Sequence, residues 1–406
     1  MKWICCQLGA REHYTVPRAL QRAGELEEVI TEAWVRPGHP LGVAKASLRQ
    51  RFHPELKRSR VTAANFSSIA FELRGKLIRK NGWPLVLARN EWFQRQALRR
   101  LRNIPNDDQK RTLFAYSYAA RELFRHARSR GWRTVLGQID PGMYEEKLVQ
   151  KLFNESGGEI GNWKAAPQSY WQDWRQECEL ADYIVVNSLW SRQGLLAEGV
   201  PSKKLRVVPL AFELEKDDEA QRFHRICPEC FTAERPLRAL FLGQVNLRKG
   251  IRPLLDAVRR LADQPIEFWF VGPVQIHVPG DLRDNRRIRW LGPVSRRDTA
   301  RFYRDADVFL FPTLSDGFGL TQLEAQAWKL PIIASRFCGD VVVDGQNGIL
   351  LDEVTTNSIC SALLDCSRES RKLQQMADRP VNMNRFGLDA LAKRFSALET
   401  ADLFSR

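Results

Sequence analysis

The chain has 406 residues, 44% hydrophobic and 27% charged, with 63 Lys and Arg against 48 Asp and Glu. Its length exceeds one ordinary core and predicts two globular domains of ~200 residues each. No apolar run reaches the ~18 residues that span a bilayer, and the opening MKWICCQLGA lacks a signal-like apolar segment and cleavage site, so neither a secreted nor a transmembrane protein is expected. The net charge of +15 favours polyanionic partners, whether nucleic acid, anionic lipid or phosphorylated small molecules.

In chain order, KWICCQL (2–8), RTVLGQI (133–139), DYIVVN (182–187) and LRVVP (205–209) are strand-like. SYAARELFRHARSRG and SLWSRQGLLAEG read as helices ending at glycine. The stretch 212–236 is charged and poor in aliphatic residues, and is expected to join two domains. The expected division is an N-terminal domain over 1–210, a connector over 211–236, a C-terminal domain over 237–380 and a closing helix over 381–406 that packs back on the first domain. Eight scattered cysteines fit a reducing cytosol rather than a disulfide framework. Cys227 and Cys230 make a single CxxC without the second ligand pair that structural zinc requires.

From Leu237 the pattern is regular. RALFLG (238–243), IEFWFVG (266–272), RIRWLG (287–292), DVFLFP (307–312), PIIAS (331–335) and GILL (348–351) are strand candidates separated by helical segments. Ile251, Leu254, Leu255, Val258 and Leu261 share one helical face, and Ser295 with Asp298 forms a capping-box pattern for the helix through Tyr303. Alternation of this kind predicts an α/β fold with doubly wound parallel sheets.

Two stretches carry candidate chemistry. In PTLSDGFGLTQLEAQAWKLPIIAS (312–335), a buried strand runs through a glycine turn into a helix, with Asp316 before the turn and Glu324 after it. The amides of Gly317, Phe318, Gly319 and Leu320 at such a helix start suit a phosphate, and the flanking carboxylates suit hydroxyl groups, which together describe a sugar nucleotide. In LFLGQVNLRKGIRPLL, Gly243 and Gln244 turn the chain, and Arg248 and Lys249 are expected to aim two cations into the same cleft, where a diphosphate leaving group develops charge.

These residues resemble glycosyltransferase family 4, retaining enzymes of the GT-B fold. The resemblance is strong over 237–352 and weaker over 181–211. It implies two Rossmann-like domains facing each other across a cleft, with a nucleotide-sugar donor mainly on the C-terminal one and no obligatory metal. It matches Asp316 to the family's first acid, near the donor sugar, Glu324 to the acid that binds ribose hydroxyls, and Lys249 to its phosphate-binding lysine. Gly272 and Val294 fall in the donor-side loops. The chain departs from the family in having Asp for the first Glu and Gln244 where an arginine is frequent, with Arg248 as the candidate substitute. Those departures keep open an alternative, a GT-B-like nucleotide binder without transfer.

Opposite the donor side, the loop after the first strand offers Gly9 and His13, and the strand end before Pro141 offers Asp140 where many relatives carry histidine. These are the acceptor-side candidates, with a turn aspartate as the other reading of Asp140. DAD at 305–307 sits at a helix-to-strand join, where capping is favoured over metal binding. The segment 71–103 mixes nine Arg and Lys with Leu, Ile, Trp and Phe. It reads either as a solvated helix pair or as a surface resting on anionic membrane, which suits a cytoplasmic, peripherally bound enzyme with a lipid-linked or saccharide acceptor. The competing class is a basic nucleic-acid-binding protein, but zinc-finger spacing, RNP-like strands and a basic tail are missing, so no nucleic-acid partner is expected.

Overall fold

The computed structural model describes residues 1–44, 46–156, 163–213 and 219–400. In it the chain forms two all-parallel sheets. The first has seven strands: β1 (Lys2–Gln7), β2 (Leu26–Thr31), β3 (Val61–Ala63), β4 (Arg111–Tyr116), β5 (Arg133–Gln138), β6 (Tyr183–Val186) and β7 (Leu205–Val207), in the order β3-β2-β1-β4-β5-β6-β7. The second has six: β8 (Leu237–Leu242), β9 (Ile266–Val271), β10 (Ile288–Gly292), β11 (Val308–Phe311), β12 (Ile332–Ser335) and β13 (Gly348–Leu351), in the order β10-β9-β8-β11-β12-β13. Both orders reverse direction between the first strand and the fourth. The crevice outside the strand ends at such a switch point is where ligands bind in open parallel sheets.

Burial on both faces explains why these strands are near-continuous apolar runs. In β1, Ile4 and Cys6 join one core with Phe93, Phe124 and Trp174, while Trp3 and Cys5 face the other side. There they meet Leu391 and Phe395 of the helix Leu388–Thr400, which packs back on the first sheet, with the Trp3 and Phe395 rings 5.6 Å apart. Each fully buried side chain of this kind contributes roughly 1.5–3 kcal/mol.

Strands β2, β3 and β4 are absent from the sequence reading. The β2 sequence LEEVIT hides its strand behind two glutamates, yet Glu28 is buried, paired with Arg100 at 2.7 Å and hydrogen-bonded by Thr62. The helix expected from Ser117 starts at Arg121, because residues before it finish the loop from β4. Ser295 does not cap the helix Thr299–Asp305. It opens a short 3-10 turn over Arg296–Asp298, its hydroxyl bonded to Asp298 at 2.7 Å. The charged stretch after Glu219 is docked rather than loose. Arg225 is buried and donates to the carbonyls of Trp328, Lys329, Tyr303 and Ala306, on the flank of the second sheet.

Candidate active site

The loops after β8 and β11 are joined before they meet anything else. Leu314 N–H donates to the Arg248 carbonyl at 2.7 Å, and the Arg248 guanidinium returns a bond to the Ser315 carbonyl at 2.8 Å. Gly250 makes the approach possible, since a Cβ there would lie 1.9 Å from the Pro312 carbonyl oxygen. This cross-linking delivers Lys249 to Asp316. The two side chains are ion-paired and largely covered, 12% and 18% exposed, and Lys249 also lies over the Phe311 ring at 4.7 Å. Burial pushes the Asp316 carboxyl up, but the Lys249 and Arg248 charges outweigh it and hold the group below the usual carboxylate range.

Asp316 also accepts the Phe318 N–H at 3.2 Å, and Gly317 packs on the N-terminal domain. Of the four amides 317–320, that of Phe318 is thus engaged by the Asp316 carboxylate. Gly319 (φ +82) and Leu320, at the start of the helix Leu320–Ala327, donate to no acceptor among the described residues. Glu324 lies on the same helix and accepts the Tyr303 hydroxyl at 2.7 Å, a partner the sequence did not indicate.

The N-terminal domain closes directly onto this loop. A Cβ on Gly317 would lie 2.1 Å from the Ile139 carbonyl oxygen, so only glycine permits the contact. Ser191 Oγ donates to the Gly317 carbonyl at 3.2 Å, Trp190 Nε1 to Ser315 Oγ at 3.0 Å, and Ser315 Oγ to Glu145 at 2.6 Å. Arg248 lies 3.5 Å from the same Glu145 oxygen. Burial raises Glu145 against the opposing Arg248 charge, while Glu145 and Asp316 raise Arg248 against its own burial.

Two cavities lie between the domains. One, about 780 Å³, takes Leu320 and Glu324 on one side and His13 with Glu12, Arg18 and His53 on the other. His13 thus shares this cavity with Glu324. Gly9 is not at this cavity: its Cα faces the Arg51 guanidinium, where a Cβ would meet Nη1 at 2.8 Å. The other cavity, about 460 Å³, is lined by Asp140, Glu145 and a group of aromatic side chains of the N-terminal domain, and by Arg248. Asp140 has the turn role as well, since one oxygen accepts Gly142 N–H at 2.9 Å.

Gly243, Gln244, Gly272 and Val294 line neither cavity. Gly243 and Gly272 lie against each other, a Cβ on Gly272 meeting the Gly243 carbonyl oxygen at 2.0 Å. Gln244 is exposed, 3.4 Å from Asn246, and Val294 packs on the Trp269 and Phe302 core. Of the DAD triplet, Asp307 is buried and held by both guanidinium nitrogens of Arg235 at 2.7 Å, which is a structural role.

Residues 236–369 match the family model for glycosyl transferases group 1. Among curated relatives, a D-inositol 3-phosphate glycosyltransferase of Corynebacterium glutamicum is 31% identical over 174 residues, 39% of this chain and 42% of that protein. The capsular polysaccharide biosynthesis glycosyltransferase CapM of Staphylococcus aureus is 25% identical over 152 residues, 35% of this chain and 38% of that protein. An uncharacterized 41.2 kDa protein in the cps region of Klebsiella pneumoniae is 24% identical over 180 residues, 44% of this chain and 50% of that one. The chain thus spans half or less of the length of these relatives. Solved structures match over its whole length: sucrose-phosphate synthase from Thermosynechococcus elongatus at TM-score 0.65 and 16% identity, covering 100% of both chains, and Anabaena HepE in complex with UDP at 0.58 and 14%, covering 99% and 100%. The likeness to these structures is one of fold. Residues 236–369 thus resemble the glycosyl transferases group 1 family, and the two facing parallel-sheet domains have the GT-B fold.

Proposed function

We propose that this protein is a retaining glycosyltransferase that moves a sugar from a nucleoside-diphosphate donor to a hydroxyl of a saccharide or lipid-linked acceptor, without an obligatory metal. The observation that carries the reading is the meeting of Lys249, Arg248 and Asp316 just before a helix whose Gly319 and Leu320 amides meet no acceptor among the described residues and whose Glu324 opens to the interdomain cleft. In this reading Glu324 accepts the ribose hydroxyls. The donor diphosphate takes Lys249 over from Asp316 and meets the free amides at the helix start, where both N–H groups and dipole favour an anion. Asp316, released, accepts a hydroxyl of the donor sugar.

As the bond between the anomeric carbon and the phosphate oxygen breaks, the acceptor oxygen bonds to that carbon on the same face. Its proton passes to the departing phosphate oxygen. Lys249 and Arg248 stabilise the charge that develops there. HepE has been solved with UDP and with UDP-glucose, which supports a nucleotide-sugar donor here.

A second feature favours the lipid-linked acceptor and a place on an anionic membrane face. The helices Asn65–Leu77 and Gly82–Arg102 meet at a tip where Leu73, Leu77 and Ile78 are exposed among exposed Arg74, Lys76, Arg79 and Lys80. No helix among the described residues is long and apolar enough to cross a membrane. A basic surface with apolar side chains at its crest is the composition that binds an anionic bilayer interface.

A thermal-shift panel of UDP, GDP, ADP, dTDP, CDP and their sugar conjugates tests the donor site. One nucleotide is expected to raise the melting temperature, and Glu324→Ala to abolish the rise. Retention of the full shift in that variant removes the ribose role.

A further inference from the structure

The cavity of about 460 Å³ beside Arg248 has a composition of its own. Its N-terminal wall is a contiguous aromatic group: the Tyr118 and Tyr170 rings stack at 4.7 Å, Trp83 lies 4.9 Å from Tyr170, and Trp171 meets Tyr170 at 5.1 Å. Three carboxylates, Asp140, Glu145 and Glu146, share the lining, and each is half used. Asp140 Oδ1 accepts from Tyr118 Oη at 2.6 Å, Gln138 Nε2 at 2.9 Å and Gly142 N–H. Glu145 Oε2 accepts from Ser315 and Arg248, and Glu146 Oε1 accepts the Ala166 N–H at 2.6 Å. Asp140 Oδ2, Glu145 Oε1 and Glu146 Oε2 accept from no donor among the described residues.

Carboxylates held by one oxygen are fixed in place and still offer an acceptor to a ligand. Among the described residues of the lining Arg248 is the one cationic side chain, and its Nη1 already meets Glu145 and the Ser315 carbonyl. A ligand bearing phosphate or carboxylate would bring a further negative charge to an acidic, partly desolvated site, where like charges repel strongly. A ring with hydroxyl donors on its edge and C–H bonds on its face meets both walls with what each offers, an apolar aromatic surface and fixed polar acceptors.

We propose that this cavity is the acceptor subsite and that the ring it takes is a pyranose bearing no anionic group. This deepens the glycosyl-transfer reading and rests on it. The aromatic wall fixes the plane of the ring, and Asp140 and Glu146 fix its hydroxyl edge. Discrimination against phosphorylated or uronic acceptors follows from the uncompensated charge of those two carboxylates. Trp83 is the second residue of Gly82–Arg102 and so follows directly from the exposed basic tip, which places the mouth of the cavity near the surface proposed to meet lipid.

The test is saturation-transfer NMR on the full chain with methyl gluco-, galacto- and mannopyranosides, and with glucose 6-phosphate and glucuronic acid as anionic probes. Nucleoside-diphosphate binding is measured in parallel by thermal shift. At least one neutral glycoside is expected to receive saturation on its ring C–H protons and neither anionic probe to do so. Trp83→Ala should lower that signal at least threefold with the nucleotide shift intact. Glu146→Gln, which removes a charge and keeps the shape, should let an anionic probe bind. Saturation of the anionic probes equal to that of the glycosides overturns the proposal, as does nucleotide binding with no neutral glycoside bound. Loss of both kinds of binding in the wild type instead removes the glycosyl-transfer reading, and this proposal with it.

Discussion

Replacing Gly317 by alanine puts a methyl group where the two domains touch. The new Cβ would lie 2.1 Å from the Ile139 carbonyl oxygen and 3.3 Å from Asp140 Cα, both backbone atoms that cannot rotate away. Carbon and oxygen approach to about 3.3 Å at closest in favourable contacts. The domains must therefore separate by the difference, 3.3 − 2.1, or about 1.2 Å. Three interdomain hydrogen bonds at 2.6–3.2 Å, from Ser191 to the Gly317 carbonyl, Trp190 to Ser315 and Ser315 to Glu145, would stretch beyond bonding range. At about 1 kcal/mol net each, they represent about 3 kcal/mol of closure energy. A misplacement of about 1 Å between reacting groups costs on the order of 10²-fold in rate. Glu324 and Leu320 belong to the C-terminal domain and do not move relative to each other, so nucleotide affinity should hold. The assay compares turnover and nucleotide thermal shift for wild type and Gly317→Ala: turnover should fall about 100-fold with the shift unchanged. Full turnover, or a parallel loss of nucleotide binding, would refute the closure argument.

Lys249→Met should weaken a nucleoside diphosphate far more than the matching monophosphate, because the lysine is proposed to meet the distal phosphate. Equal losses for the two ligands in calorimetric titration would remove that role. Glu177 is fully buried and accepts three backbone N–H groups, from Tyr118, Ala120 and Arg121. Burial raises it from 4.5 to about 7 against those bonds. A raised acid means that the folded chain binds more protons between pH 4.5 and 7, so stability from this group falls as pH rises through that window, by about 3 kcal/mol at most. Urea unfolding at pH 5 and pH 8 should show this slope, and Glu177→Gln should flatten it. A slope unchanged in the variant contradicts the assignment. At the helix tip, Leu77→Glu combined with Ile78→Glu should reduce pelleting with anionic vesicles, and salt should do the same, each exposed Lys or Arg supplying ~1 kcal/mol. Pelleting indifferent to lipid charge would exclude the membrane surface.

What the sequence made legible was local. Lys249, Asp316 and Glu324 lie within a few residues of buried strands whose apolar runs announce themselves, and Gly250 and Gly319 mark the turns that aim them. Their closest partners were not legible. Glu145 and Ser315 are 170 residues apart in the chain and meet only because the two domains dock. Tyr303, which holds Glu324, comes from a neighbouring helix whose capping pattern says nothing of that contact. The aromatic wall draws on segments around residues 83, 118 and 170, none of which shows a pattern beyond ordinary amphipathic helix or loop. Strand β2 was hidden for a different reason: its buried Glu28 is neutralised by Arg100, 72 residues away, and by Arg60, which lies outside the strand. The glycine-turn amides show a further effect that only the structure displays. Sequence reasoning counts backbone donors at a helix start, but a flexible acidic side chain two residues earlier takes one of them, as Asp316 does from Phe318.

The cleft beside Glu324 is proposed to bind the nucleotide of an activated sugar. Calorimetric titration of UDP, GDP, ADP, dTDP and CDP into wild type and Glu324→Ala tests it most directly. Saturable binding of one nucleotide to the wild type is expected, with at least a tenfold loss in the variant. No binding by any of the five to a folded wild type, or equal affinity in the variant, would contradict it.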